Sequence, residues 1–195
     1  MPPEDDDRNR SDDERVLDRL TRGDTRGAVE LLMELHEAAV FAFCMRMLRD
    51  RAVAEDVAQQ VFIAAYRDIG GFRREASLKT WLFGIARHRC GDAIKAGVRR
   101  DARFTLDDDA VTDSLDPAAP PADQLEHARL VAALEDCLEE LDDKIRATVL
   151  LRFLSEMTYE EMAKVLDKKA DTLCVRVARA LPLLKRCLEH KGWRP

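Results

Sequence analysis

Apolar residues recur in steps of three and four through Leu32, Leu35, Ala39, Phe43 and Met47. That spacing puts one stripe on one helical face and predicts a helix over about 25–49. A second stripe, Ala54, Val57, Val61 and Ala65, predicts a helix from Ala52 to Asp68, which Gly70-Gly71 ends. A loop over Phe72 to Ser77 follows. Leu82, Ile85, Ala86, Cys90 and Ala93 then face inward on a third helix from about Leu78 to Val98. The pattern breaks over Asp101 to Glu126, where eight acids face the single base Arg103 and Pro117, Pro120 and Pro121 forbid a regular element. It resumes at about 125–140, 143–154, 158–167 and 171–190. The expected fold class is all-α: two small helical domains over 25–100 and 128–190, a flexible acidic linker over 101–127 and a mobile acidic tail over 1–24.

Composition agrees with this. Aromatic residues make up 6% of the 195 residues and there are 8 glycines, which argues against a many-stranded β fold. No apolar run approaches the roughly 20 residues that span a bilayer, and the polar N-terminus does not read as a secretory signal. Five cysteines without a CxxC pair suggest reduced thiols in a cytoplasmic protein rather than a disulfide framework.

Charge changes the picture more. The net charge of −6 hides two basic segments. Arg67–Arg103 holds ten Lys/Arg against four acids, and Lys164–Arg194 holds nine against three. Each is a local +6, leaving −18 for the rest of the chain. Two cationic patches in an acidic chain suit local phosphate contacts with little promiscuous binding; solvated helix faces would read the same way.

Thr158-Tyr-Glu-Glu161 is a capping box that opens a short helix carrying Met162, Ala163 and Leu166. Asp167-Lys168-Lys169 is a polar turn. The next helix turns Leu173, Val177, Ala180 and Leu184 inward and leaves Thr172, Val175, Arg176 and Arg179 outward. This is helix-turn-helix geometry, whose second helix enters a major groove; an ordinary helical hairpin has the same spacing. Pro182 is expected to kink or end the reading segment.

The stretch Ala54-Glu-Asp-Val-Ala-Gln-Gln-Val-Phe-Ile-Ala-Ala-Tyr-Arg67 resembles the region-2 helix of bacterial sigma factors. Phe72-Arg-Arg, then Thr80-Trp-Leu-Phe-Gly-Ile-Ala-Arg-His88 and Asp92, resembles the next segment of that domain. Tyr159-Glu-Glu-Met-Ala163, Leu166 and Arg176-Val-Ala-Arg-Ala180 resemble the σ4 helix-turn-helix. Both in this order, joined by an acidic tether, resemble the extracytoplasmic-function (ECF) group. The resemblance implies a promoter-specificity subunit of RNA polymerase, with no catalysis and no cofactor. Its partners would be core polymerase, promoter DNA and an anti-sigma factor. Polymerase docking falls on Glu55, Asp56, Gln59, Gln60 and Phe62. Capture of a −10 base falls on Phe72, Arg73, Arg74 and Ser77, with Arg87, His88, Lys95, Arg99 and Arg100 along the DNA path. Contacts to the −35 element fall on Lys168, Lys169, Thr172, Val175, Arg176 and Arg179. Trp81 is expected to pack inward. Cys174-Val175 stands where many relatives have a basic residue and Ser, and Glu156 where a Gly often precedes the helix-turn-helix. The linker either tethers or lies in a basic channel of the polymerase.

Other readings stay open at this point. A stand-alone helix-turn-helix regulator would bind a palindrome as a dimer, and a sigma-like decoy would bind partners without initiating transcription. Cys44, Cys90 and Cys137 lie beside apolar stripes and are expected to be buried thiols. Cys187 and His190 share a helix face, but two ligands do not make a structural zinc site. There is no Gly-rich phosphate loop, no HExxH and no Ser/His/Asp ordering.

Overall fold

The structure is a computed structural model that describes the backbone of residues 4–101 and 122–193 and the side chains of 12–97 and 126–193. The described residues hold eight α-helices, α1 (Glu4–Thr21), α2 (Thr25–Leu48), α3 (Arg51–Asp68), α4 (Leu78–Asp101), α5 (Ala122–Glu139), α6 (Asp143–Phe153), α7 (Tyr159–Leu166) and α8 (Ala170–His190), and a single 3-10 turn, Ile69–Gly71, after α3. No strand occurs among the described residues. Most of the stretch expected to be a linker, 102–121, lies outside them, and α5 begins at Ala122, earlier than its apolar pattern.

Helices α1–α4 form an N-terminal bundle. Asp24 and Asp50 cap α2 and α3 by accepting from the backbone N–H of Gly27 and Val53. Arg49, at the C-cap of α2, takes the left-handed conformation that turns the chain into α3. The core is Leu32, Val40, Phe43, Val61, Leu82 and Phe83, all fully buried. Phe43 meets Phe83 edge-on at 5.6 Å between ring centroids.

The N-terminal segment departs from the expected mobile tail. It is helical, and Val16 is fully buried while Leu17 and Leu20 pack beside it. The apolar trio at i, i+1 and i+4 suffices to dock a helix whose other positions are charged. Asp13 of α1 accepts a 2.9 Å hydrogen bond from the Leu78 N–H, so this helix also caps α4.

Helices α5–α8 form the C-terminal bundle, with Leu151, Met157, Met162 and Leu173 fully buried at its centre. The capping box is present: Thr158 Oγ1 accepts from Glu161 N, and Glu161 Oε2 accepts from Thr158 N at 2.8 Å. Glu156 sits at φ +53°, a left-handed position that explains why glycine suits it. Arg146 is 2% exposed and works as a buried clasp. It donates to the carbonyls of Leu138, Glu139 and Leu141 at 2.8–2.9 Å, closing the turn from α5 to α6. Each buried carbonyl left without that donor would cost about 1–3 kcal/mol. Pro182 does not end α8, which continues to His190. The missing donor costs one hydrogen bond to Ala178, and buried Ala180 and Leu184 hold the helix on both sides.

The two bundles touch. Arg146 Nη1 reaches the Met47 carbonyl at 3.4 Å. Arg46 pairs with Glu135 at 3.2 Å, and Thr80 Oγ1 donates to Glu161 Oε1 at 3.3 Å. Lys164 of α7 donates to the Glu75 carbonyl in the loop before α4.

Candidate functional site

Three surfaces gather the residues that the sequence singles out. The first lies on α3 and α2. Glu55, Asp56, Gln59 and Gln60 are exposed on one side of α3, while Phe62 is buried. Phe62 forms part of the wall of an apolar cleft of about 540 Å³ together with Val29, Met33, Phe41, Ile63 and Tyr66. Ile63 is 69% and Tyr66 53% exposed, an apolar pair with no cover among the described residues. Sequence reasoning named neither, although Gln59, Ile63 and Tyr66 follow the i, i+4, i+7 spacing of a helix face. Asp56 and Gln60 lie outside the cleft wall, beside it on the same helix.

The second surface is a cleft of about 840 Å³ between the end of α3, the loop before α4 and the face of α4, with Lys164 and Val165 of α7 closing one side. Phe72, Arg73, Trp81, Gly84, His88 and Arg89 line it. Trp81 is not inward packing alone: it is half-buried, and its ring lies 5.6 Å from that of Phe72 on the cleft wall. The structure brings Phe72, Arg73 and His88 together there. Ser77 instead caps α4, its hydroxyl accepting from the Thr80 N–H at 3.1 Å. Arg74 stands exposed at φ +57°, in the turn beside the cleft. Arg87 and Lys95 are exposed along α4. His88 Nδ1 and Lys95 Nζ both approach Asp92, at 3.2 and 3.6 Å. The side chains of Arg99 and Arg100 lie outside the described residues. Trp81, Gly84 and His88 share the spacing of one helix face, the signal that would have assigned Trp81 to the cleft.

Three titratable groups of the N-terminal bundle are shifted by their surroundings. Burial pushes the Asp13 carboxyl up, against the pull of the Leu78 N–H it accepts. Arg67 holds the Asp68 carboxyl below its usual range through a paired hydrogen bond. His36 of α2 is driven down to about 4, first by burial and then by the Lys79 charge.

The third surface is the outer face of α7–α8. Lys168, Lys169, Thr172, Val175 and Arg179 are all exposed. Lys169 is the N-cap of α8 and makes no side-chain cap, so the helix amino end is open to an anion. Arg176 is half-buried and its guanidinium donates to Thr148 Oγ1 at 3.2 Å, which holds its head against α6. Val175 is 48% exposed, an apolar tip amid cations.

The cysteines correct the sequence reading. Cys44 and Cys90 are buried thiols with sulfurs 3.7 Å apart, and Cys90 is pushed up by its hydrogen bond to Cys44 and by burial. Cys137 and Cys187 are not free: they form a disulfide between α5 and α8. Spacing along the chain could not show this, because the pairing joins residues 50 positions apart. Cys187 is therefore no metal ligand beside His190, whose Nδ1 lies 2.9 Å from the Arg186 carbonyl.

Two family models match this architecture. Residues 32–100 match sigma-70 region 2, and residues 132–184 match sigma-70 region 4. The RNA polymerase sigma-H factor of Pseudomonas aeruginosa is 30% identical over 187 residues, covering 91% of this chain and 94% of that protein.

The chain belongs to the ECF group of the sigma-70 family.

The ECF RNA polymerase sigma-E factor of Haemophilus influenzae is 28% identical, covering 91% of this chain and 95% of that protein. The fold matches that of the sigma factor RpoE of Bartonella quintana, solved with the anti-sigma factor NepR, with a TM-score of 0.64 at 21% identity over 82% of this chain and 96% of that one. The sigma factor's N-terminal bundle is thus σ2, its C-terminal bundle σ4, and its role the direction of RNA polymerase to promoters.

Proposed function

We propose that the α3 cleft docks core RNA polymerase, that the cleft beside Phe72 and Trp81 takes a base extruded from the −10 element, and that α8 reads the −35 element. The observation that carries this reading is the second cleft. A flipped base needs an aromatic platform, hydrogen-bonding groups and nearby cations for its phosphates. Phe72 and Trp81 offer the platform, Asp68 and Asp92 offer acceptors, and Arg73, Arg89 and His88 line the same space. Arg87 and Lys95 extend the cationic track along α4.

On α8, Lys168 and Lys169 hold phosphate at the helix amino end, Thr172 and Arg179 face base edges, Arg176 reaches them on leaving Thr148, and Val175 meets a thymine methyl. The protein performs no reaction of its own; its work is positioning and strand separation. It acts where the polymerase and the chromosome are, in the cytoplasm, and among the described residues no helix is long and apolar enough to cross a membrane. An anti-sigma factor is its third partner, covering the apolar α3 cleft when the polymerase is absent.

Permanganate footprinting of holoenzyme on a promoter tests the carrying observation. Base stacking on an aromatic side chain is worth about 1–3 kcal/mol. Phe72→Ala and Trp81→Ala are therefore expected to lower reactivity of −10 thymines about tenfold or more while core binding persists. Unchanged strand opening in both variants would contradict base capture at this cleft.

A further inference from the structure

The five cysteines occupy three environments. Cys44 and Cys90 are closed off in the σ2 core, and Cys174 is exposed on the recognition helix. Cys137 and Cys187 are bonded, with Cα atoms 5.7 Å apart. That bond fastens α5 to the half of α8 that lies beyond Pro182. The two residues differ in exposure: Cys137 is 1% exposed, whereas Cys187 is only partly buried. Lys185, Arg186 and Lys191 surround Cys187 in sequence, and Lys191 Nζ pairs with Asp136 at 2.9 Å beside the bond.

We propose that Cys137 and Cys187 form a reversible dithiol–disulfide site for low-molecular-weight thiols and their disulfides, and that its oxidised form secures the hold of σ4 on the −35 element. The inference rests on the σ4 reading above. A transcription factor works in a thiol-rich compartment, where a disulfide with one reachable sulfur exchanges. The bond closes 50 residues of chain, so its loss releases much conformational freedom in the unfolded state. It also acts on a helix with few other fastenings: among the described residues of α5 only Ala133, Cys137 and Leu138 are buried. Because α8 is continuous from Thr172 to Cys187, freeing its far end loosens the seat of its reading end.

The exchange balances. A small-molecule thiolate attacks Cys187 Sγ, the protein disulfide breaks, and Cys137 leaves as a thiolate and takes a proton. A second thiolate attacks the small-molecule sulfur of the mixed disulfide and releases Cys187 with the oxidised small molecule. Two electrons and two protons pass to the protein. The oxidised small molecule drives the reverse direction.

The test equilibrates the full chain with reduced and oxidised glutathione at a series of ratios, then traps thiols by alkylation in denaturant. Cys137 and Cys187 should lose reactivity together in one transition, while Cys44, Cys90 and Cys174 remain alkylatable. The oxidised chain should melt about 10 °C higher than the reduced one. With core polymerase it should use a −35-dependent promoter at least fivefold better. Cys137→Ser with Cys187→Ser should fix the reduced behaviour, and Cys174→Ser should leave the transition intact. The wild-type melting difference decides the matter if the double variant folds poorly. A pair that stays reduced at every ratio would overturn the proposal. So would a transition that leaves melting and transcription unchanged, or a reduced form that transcribes better. Absence of any promoter-dependent transcript in both redox forms would contradict the σ4 reading instead, and alkylation and melting would still decide the redox site.

Discussion

The ammonium of Lys164, on the first helix of the helix-turn-helix, donates to the main-chain carbonyl of Glu75, in the loop that borders the σ2 cleft. With Thr80 and Glu161 alongside, this contact holds σ4 against the mouth of the proposed base pocket. Elements named −10 and −35 lie about 25 base pairs apart, roughly 80 Å at about 3.4 Å per pair. Bundles in contact cannot grip both, so promoter binding requires them to separate. Lys164→Ala should remove about 1 kcal/mol from the closed arrangement and shift the balance toward the open one about fivefold. Small-angle scattering of the free chain should then show a larger radius of gyration than wild type.

Ile63 and Tyr66 present apolar surface that a partner would cover. Ile63→Glu should weaken core polymerase binding about tenfold or more, as for a residue near an interface centre. Its melting temperature should stay within a degree or two of wild type, because the side chain is already in water. Titration with labelled core enzyme gives the first quantity and circular dichroism the second.

Gly84 lies between Trp81 and His88 on the cleft wall, and a Cβ there would meet nothing within 4 Å. Glycine within a helix costs about 1 kcal/mol relative to alanine. Gly84→Ala should therefore stabilise σ2 by about that amount while narrowing the space for a base. A higher melting temperature together with weaker −10 opening is the expected pair of results.

His36 introduces a pH dependence. Its folded value lies near 4, below the ordinary 6.5, because burial and Lys79 disfavour the charged form; Asp12 pulls weakly the other way. The unfolded chain binds the proton first as pH falls. Stability from this group is whole above about 6.5 and declines as pH drops from there toward 4, by about 3 kcal/mol at most. His36→Gln should flatten that part of the stability profile, measured by urea unfolding between pH 7 and pH 4.

Local signals carried most of the architecture. Stripes such as Leu32 to Met47, the Thr158–Glu161 capping box and the Gly70-Gly71 stop depend on neighbours in sequence, and the helices follow them closely. What escaped depends on distant partners. Val16 anchors α1 only because a core exists to receive it, and Cys137 meets Cys187 only once α5 packs on α8. Trp81 looked internal because periodicity reports a helix face, not whether that face borders a cleft. Arg176 was placed on the outer face by the same periodicity, and its bond to Thr148 became visible only in three dimensions.

Run-off transcription with purified core polymerase and this chain tests the central claim most directly. A template carrying a promoter that this factor serves should yield a discrete transcript only when the chain is added, and substitutions in either the −10 or the −35 element should reduce it. Catalytically active core that gives no promoter-dependent transcript with the chain present would contradict the account.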